Sequence, residues 1–389
     1  MTATPPPRGF TVDEFEARTE RAQRMMRDYE FDALLLTTEA QVRYFSGFLT
    51  QFWQSPTRPW FLVLPASGKP IAVIPTIGVA GMRDTWIDDI RSWSSPAPQD
   101  DGISLLASTL RELPRRFGCL GLTLGREGRL LMPLLDYQRL REELPGLDMV
   151  DCAEPLLRLQ SIKSSAEIDK ISFVCELASS SFEALPGLLA AGQSERDILR
   201  RMRIDLLERG ADHTPFIVCA SGADGYGDII MGPRDRILAE GDILIIDTGT
   251  VYDGYFCDFD RNFAFGRASD TARRVYDTVY RSTDAGLEAA RPGATTTDVW
   301  QAMWSVLESG GASFNDVGRM GHGLGAQLTE WPSLTSSDNT LLEPGMVITL
   351  EPGMDYGDRL MVHEENIVIT ESGARLLSRR AAPQLPIIQ

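Results

Sequence analysis

Three apolar strand-like runs in the C-terminal half of this 389-residue chain abut a carboxylate. The run 243–246 ends at Asp247, the run 347–350 ends at Glu351, and Glu364 stands just ahead of the run 367–369. A buried strand that ends in a charge is unfavourable unless the charge is compensated. Asp258 follows Asp247 eleven residues on, behind a turn and a returning strand, so the two aspartates are expected to face each other across a hairpin. His322, one of three histidines, sits between Gly321 and Gly323, which suits a close approach of backbone to a ligand. Four carboxylates and one imidazole are too many for one mononuclear zinc site. They suit a pair of divalent ions, Mn²⁺ first, with Co²⁺, Fe²⁺ or Zn²⁺ as alternatives. Such a pair can hold and activate a water. Either aspartate alone would be explained equally well as a turn residue of a surface hairpin; the complete set is what argues for metal. Cys257 adjoins Asp258 and, by strand alternation, points to the other face.

Taken in order, Asp-Thr-Gly at 247–249, Asp258 with Phe-Asp-Arg after it, Gly-His-Gly at 321–323, Glu-Pro-Gly at 351–353 and Glu364 before a last strand resemble the pita-bread metallopeptidase superfamily. The resemblance runs over nearly the whole chain. The segment 161–168 is similar to the linker ahead of the catalytic domain in the aminopeptidase P, prolidase and creatinase branch, and 42–48 to part of that branch's N-terminal domain. It implies an α+β fold: a creatinase-like α/β domain over 10–156, then a pseudo-symmetric pita-bread catalytic domain over 157–389.

The patterning of the chain fits two domains. Thr11 with Glu14 starts a helix that runs to about Tyr29. An apolar run at 33–36 reads as a buried strand, and 61–64 with 71–74 as a hairpin, within an α/β half with a mixed sheet. A long helix is expected over 161–189, and a second starting at 192–194 with Asp197 at its third position. Two strand-rich stretches, 214–265 and 313–370, then bracket a helical block at 269–310. Residues 1–9 read as a tail.

Net charge is −17, which argues against a nucleic-acid or anionic-membrane surface. No stretch approaches the roughly 20 apolar residues of a membrane helix, and the first ten residues lack a signal-peptide core. The five cysteines are scattered, with no Cys-x-x-Cys pair, which points to a reducing cytoplasm.

The resemblance also assigns roles. It makes Asp247, Asp258, His322, Glu351 and Glu364 the ligands, with Glu365 as the fallback for Glu364, and gives Glu351 the proton during water attack. Glu330 matches a family acid, and Arg261 an arginine that follows the second aspartate. Asp260, two residues from Asp258 on the same strand face, is a candidate further ligand or a neighbour of the ligands. The peptidases carry two more histidines on the substrate side. In this chain 225–232 contains neither that histidine nor any other, Thr329 stands seven residues after His322, and Ser333 replaces a carboxylate-holding arginine of prolidases. His363, His213 and Tyr226 are candidates to substitute. In dimeric relatives an N-terminal domain closes over the partner's site, so Trp53, Arg58 and Trp60 are candidate substrate contacts in a homodimer. Aromatic faces would suit a cationic or proline-like ligand; packing at an interface is the plainer account.

The expectation is therefore a dinuclear-metal hydrolase that attacks an Xaa-Pro peptide or small amide metabolite with metal-activated water. A lyase of the dimethylsulfoniopropionate type, a creatinase-like amidinohydrolase and a non-catalytic binding protein are the alternatives.

Overall fold

The computed structural model describes residues 4–55, 57–189, 192–313 and 318–389. Parts of the expected tail 1–9 and of the strand stretch 313–370 thus lie outside the described residues. The chain divides into two units, Pro7–Gln160 and Ser161–Gln389, the second including Met1–Pro6.

In the first unit the order is α1 (Val12–Asp28), β1 (Ala33–Leu36), α2 (Glu39–Ser46), β2 (Phe61–Pro65), β3 (Ile71–Pro75), α3 (Val79–Arg83), β4 (Asp89–Trp93), α4 (Ile103–Glu112), β5 (Cys119–Leu122), α5 (Leu134–Glu143), β6 (Asp148–Asp151) and α6 (Ala153–Ser161). Thr11 caps α1 by accepting the Glu14 amide. The six strands form one mixed sheet, β4-β3-β2-β1-β5-β6. Every residue of β1 is buried: Leu34 and Leu36 pack into one core, Ala33 and Leu35 into another. A strand covered on both faces reads as a continuous apolar run, which is why 33–36 shows no alternation.

The second unit opens with α7 (Ser165–Leu188) and α8 (Glu195–Arg209), then β7 (His213–Ala223), β8 (Asp242–Tyr252), β9 (Tyr255–Phe256) and β10 (Phe259–Phe265). The pattern repeats with α9 (Asp270–Ala289) and α10 (Thr296–Ser309), followed by β11 (His322–Gly323), β12 (Glu330–Ser333), β13 (Val347–Leu350), β14 (Gly353–Tyr356), β15 (Arg359–Val362), β16 (Glu365–Thr370), β17 (Gly373–Leu376) and β18 (Ile387–Ile388). One sheet runs β18-β10-β8-β7 with β9 on β8, the other β12-β11-β13-β16-β17, and β14 pairs β15. A single core joins the two halves, with Ile243 and Ile245 of β8, Val275 and Val279 of α9, Met303 of α10 and Ile348, Leu350 and Ile367 from the other sheet.

The helix expected over 161–189 is shorter. Ile162 forms an isolated bridge with Met346, and the Lys163 amide donates to the Gly345 carbonyl, so the chain is extended there. Ser164 and Glu167 then make the capping box that starts α7. A backbone donor satisfied by a distant segment outweighs the helical periodicity there.

Candidate metal centre

The hairpin of β8 and β10 carries three aspartates on one face. Asp260, rather than Asp258, lies directly opposite Asp247, and Asp258 is the next residue along that face. The Asp258 backbone is held by a distant side chain. Its amide donates to Asn366 Oδ1 at 2.9 Å, and Asn366 Nδ2 donates back to its carbonyl. Asn366 of β16 thus fastens one sheet's ligand to the other sheet.

His322 is placed by β11. Its amide donates to Thr349 Oγ1 at 3.0 Å, and Nδ1 lies 2.8 Å from the Gly323 carbonyl. A carbonyl only accepts, so Nδ1 carries the proton and Nε2 keeps its lone pair. Nε2 lies 3.4 Å from Asp258 Oδ2. Burial holds the imidazole below its usual pKa, which keeps it neutral. The glycines serve a purpose other than the ligand approach expected. A Cβ at Gly321 would sit 2.3 Å from the Thr349 carbonyl oxygen, and one at Gly323 2.2 Å from that of Trp331. They let neighbouring strands close on β11.

Ligand atoms of Asp258, His322 and Glu364 all lie within 4.8 Å of one another, and the three residues are buried. Asp247 and Glu351 are half-buried beside them. Burial pushes Asp247, Asp258 and Glu364 well above the usual carboxylate range. Like charges reinforce this: Asp258 and Glu351 act on Asp247, and Asp258, Glu351, Asp247 and Asp260 on Glu364. Burial raises Glu351 and Asp260 too. Asp247 Oδ1, Asp258 Oδ1 and Glu364 Oε1 are buried and lack a hydrogen-bond partner. An unmet buried acceptor costs about 1–3 kcal/mol, more when charged. Oxygen donors so crowded and so undersupplied with protons fit divalent cations.

The remaining candidates divide. Glu365, beside Glu364, points the other way: it accepts from Arg261 Nη2 at 3.0 Å, Arg380 Nη1 at 3.2 Å, the Ala381 amide at 2.9 Å and Ser378 Oγ. Arg261 also donates to the Glu364 carbonyl at 3.0 Å, so it braces the strand from behind. His363 shares that rear side. Arg380 Nη1 lies 3.0 Å from its Nε2 and Thr283 Oγ1 3.1 Å from its Nδ1, and burial holds it neutral. Tyr226 is buried, donating to Asn262 Oδ1 at 2.9 Å and accepting the Val362 amide at 2.8 Å. Its hydroxyl is engaged in the core and is not presented to a substrate. Glu330 is locked by Lys163 Nζ at 2.8 Å, both side chains being buried. His213 is exposed at the start of β7, and Cys257 is buried, its thiol donating to the Thr248 carbonyl. Trp53, Arg58 and Trp60 line a pocket of about 460 Å³ within the first unit, together with Asp101, Asp136 and Met132.

Sequence reading missed one residue that faces the ligands. Arg319 Nε lies 3.4 Å from Glu351 Oε1, and Arg319 Nη2 donates to exposed Thr329 Oγ1 at 3.2 Å. Its charge opposes the carboxylates of both Asp258 and Glu351. The available signal was a cation three residues ahead of His322 in a strongly acidic chain.

The fold and this cluster define a metal-site enzyme of the pita-bread class, and the comparisons agree. Residues 169–371 match the model for metallopeptidase family M24, and residues 18–162 that for the creatinase/prolidase N-terminal domain. The chain belongs to metallopeptidase family M24 and is a metal-dependent hydrolase. It is similar to the "Probable dipeptidase PepE" of Mycobacterium tuberculosis, 28% identical over 94% of this chain and 95% of that protein. The "Xaa-Pro dipeptidase" of Pyrococcus furiosus is 29% identical over 66% of this chain and 74% of its own length. The crystal structure of dipeptidase PepE from Mycobacterium ulcerans superposes with a TM-score of 0.85 at 27% identity, covering 98% of this chain and 99% of that one.

Proposed function

We propose that Asp247, Asp258, His322, Glu351 and Glu364 hold two divalent cations, with Mn²⁺ the first choice, and that the site hydrolyses the amide bond of an Xaa-Pro or related dipeptide. The carrying observation is the trio Asp258, His322 and Glu364, its ligand atoms within 4.8 Å, with two unpartnered carboxylate oxygens and a neutral imidazole. When bound, the cations would acidify a water and polarise the amide carbonyl. The protein supplies the rest. The Gly323 carbonyl fixes the His322 tautomer, so Nε2 is the coordinating atom. Glu351, half-buried, would take and return the proton of the attacking water. Glu330, paired with Lys163, shapes the loop that follows His322 and holds the Gln327 amide at 3.0 Å. The same reading takes 10–156 and 157–389 as the two domains of a cytoplasmic homodimer.

Dipeptidase relatives support the substrate class. Against an ordinary prolidase pocket stand Thr329 and the exposed Ile230 and Met231, in the region where the peptidases carry histidines. The test is proline release from a panel of Xaa-Pro dipeptides by Mn²⁺-loaded protein, with metal content measured on the same sample. Release at ordinary enzymatic rates with about two ions per chain is expected. Metal-loaded protein that releases nothing would overturn the dipeptidase reading and move the search to small amides, guanidino compounds and sulfonium acids.

A further inference from the structure

We propose that Arg319 is the residue that binds the free carboxylate of the substrate, making this site selective for acids over the corresponding amides. Substrate choice in the test rests on the dipeptidase reading above; the assignment of Arg319 rests on its geometry. Arg261, which is buried, and Arg380, which is half-buried, are fully committed. Arg261 donates to four oxygens, those of Asp260, Glu364, Glu365 and Arg379. Arg380 donates to Asp284, Tyr280 and Glu365. Arg319 differs. Its contacts among the described residues are one exposed hydroxyl, Thr329 Oγ1, and a long 3.4 Å approach to Glu351 Oε1. Its side chain keeps 34% of its surface open to solvent.

This guanidinium therefore stands at the open side of the ligand group with donors to spare. Glu351 is a proposed metal ligand, and coordination of its carboxylate would weaken its hold on Arg319 further. A guanidinium offers a rigid fork that matches a carboxylate in two parallel hydrogen bonds. Ser333, which stands where the resemblance implies a carboxylate-holding arginine, lies on β12 with its amide donating to Asp338 Oδ2. Thr329, which stands where the resemblance implies a substrate-side histidine, is the residue Arg319 touches. Arg319 thus brings a cation to the Thr329 position.

The experiment compares alanylproline with its C-terminal amide, and L-proline with L-prolinamide, on Mn²⁺-loaded wild type, Arg319→Gln and Arg319→Lys. Hydrolysis gives kcat and KM for the first pair; titration calorimetry gives affinity for the second. The wild type is expected to prefer the acid by about tenfold or more, the scale of one charge-assisted contact. In Arg319→Gln the acid-to-amide ratio should collapse towards one, through KM, with Arg319→Lys recovering part and all three proteins holding the same metal. A preference that survives in Arg319→Gln overturns the proposal. So does an equal loss on acid and amide accompanied by lost metal, which would make Arg319 a support for Glu351. If the wild type hydrolyses neither peptide, the dipeptidase reading fails while calorimetry still decides the arginine. Acid-selective binding that Arg319→Gln abolishes upholds it; equal binding of proline and prolinamide overturns it.

Discussion

Glu364 and Glu365 are neighbours, both buried, and they meet opposite environments. Glu364 looks towards Asp258 and His322 and keeps an oxygen with no hydrogen-bond partner. Glu365 looks to the rear, where Arg261, Arg380, Ser378 and the Ala381 amide satisfy it. One face of the strand start is built to be incomplete, the other to be closed. Asp32 in the first unit shows the closed solution again, with four consecutive amides, 116–119, donating to its carboxylate. The lesson is that burial of an acid is not itself a functional sign. What marks a site is burial together with missing donors, because selection against an unmet charge is otherwise strong.

That contrast can be broken by substitution. The largest effect is expected on the incomplete face. Asp258→Asn or His322→Ala should abolish both bound metal and hydrolysis, while the metal-free protein unfolds no more easily than metal-free wild type. Elemental analysis beside thermal melts in chelator would check this, and stoichiometric metal in either variant would remove these residues from the ligand set.

On the closed face the sign reverses. Glu365→Ala leaves Arg261 and Arg380 without their buried partner and should lower the stability of the catalytic half by about 3–5 kcal/mol. Denaturant titration following that half reads the change. A variant that stays stable but loses metal would instead make Glu365 the ligand.

Metal itself should sharpen the difference between the units. At a hundredfold excess over Kd, Mn²⁺ should stabilise the catalytic half by about 2.7 kcal/mol and leave the Pro7–Gln160 unit unchanged. A scan that shifts both transitions equally would contradict a site confined to the second half.

The smallest effect is expected at Asp32. Burial alone would raise its pKa, but the amides of Arg116, Phe117, Gly118 and Cys119 outweigh it and the net shift is downward. A depressed carboxylate contributes stability that is present above its unfolded value, 3.8, and is lost as pH falls through the folded value. Asp32→Asn should cost about 1–3 kcal/mol at neutral pH. The gap to wild type should narrow below pH 3.8. A gap that is constant with pH would mean the carboxylate charge is not what the amides hold.

Much of this architecture could be read locally. Capping pairs such as Ser194 with Asp197, the hairpin of β2 and β3, and apolar strands ending in carboxylates all depend on residues a few positions apart. The failures share a cause. That Asp260 rather than Asp258 opposes Asp247 depends on the register set by the turn that follows β8, and a slip of two residues changes which side chains of that face meet. The extended stretch at 162–163, where a helix was expected, is set by backbone at 345–346, just ahead of β13. His363 and Tyr226 were plausible site residues by type and position, yet each is bonded into the core.

That this half carries acids in need of a counter-charge was legible in the sequence alone, because an acid at the end of a buried strand is unfavourable without one wherever the strand goes. Which acids stay unmet, which are closed by Arg261, Arg380 and Lys163, and that Arg319 faces the opening were decided only in the tertiary structure. Those outcomes depend on contacts such as Lys163 with Glu330, 167 residues apart, which local pattern cannot anticipate.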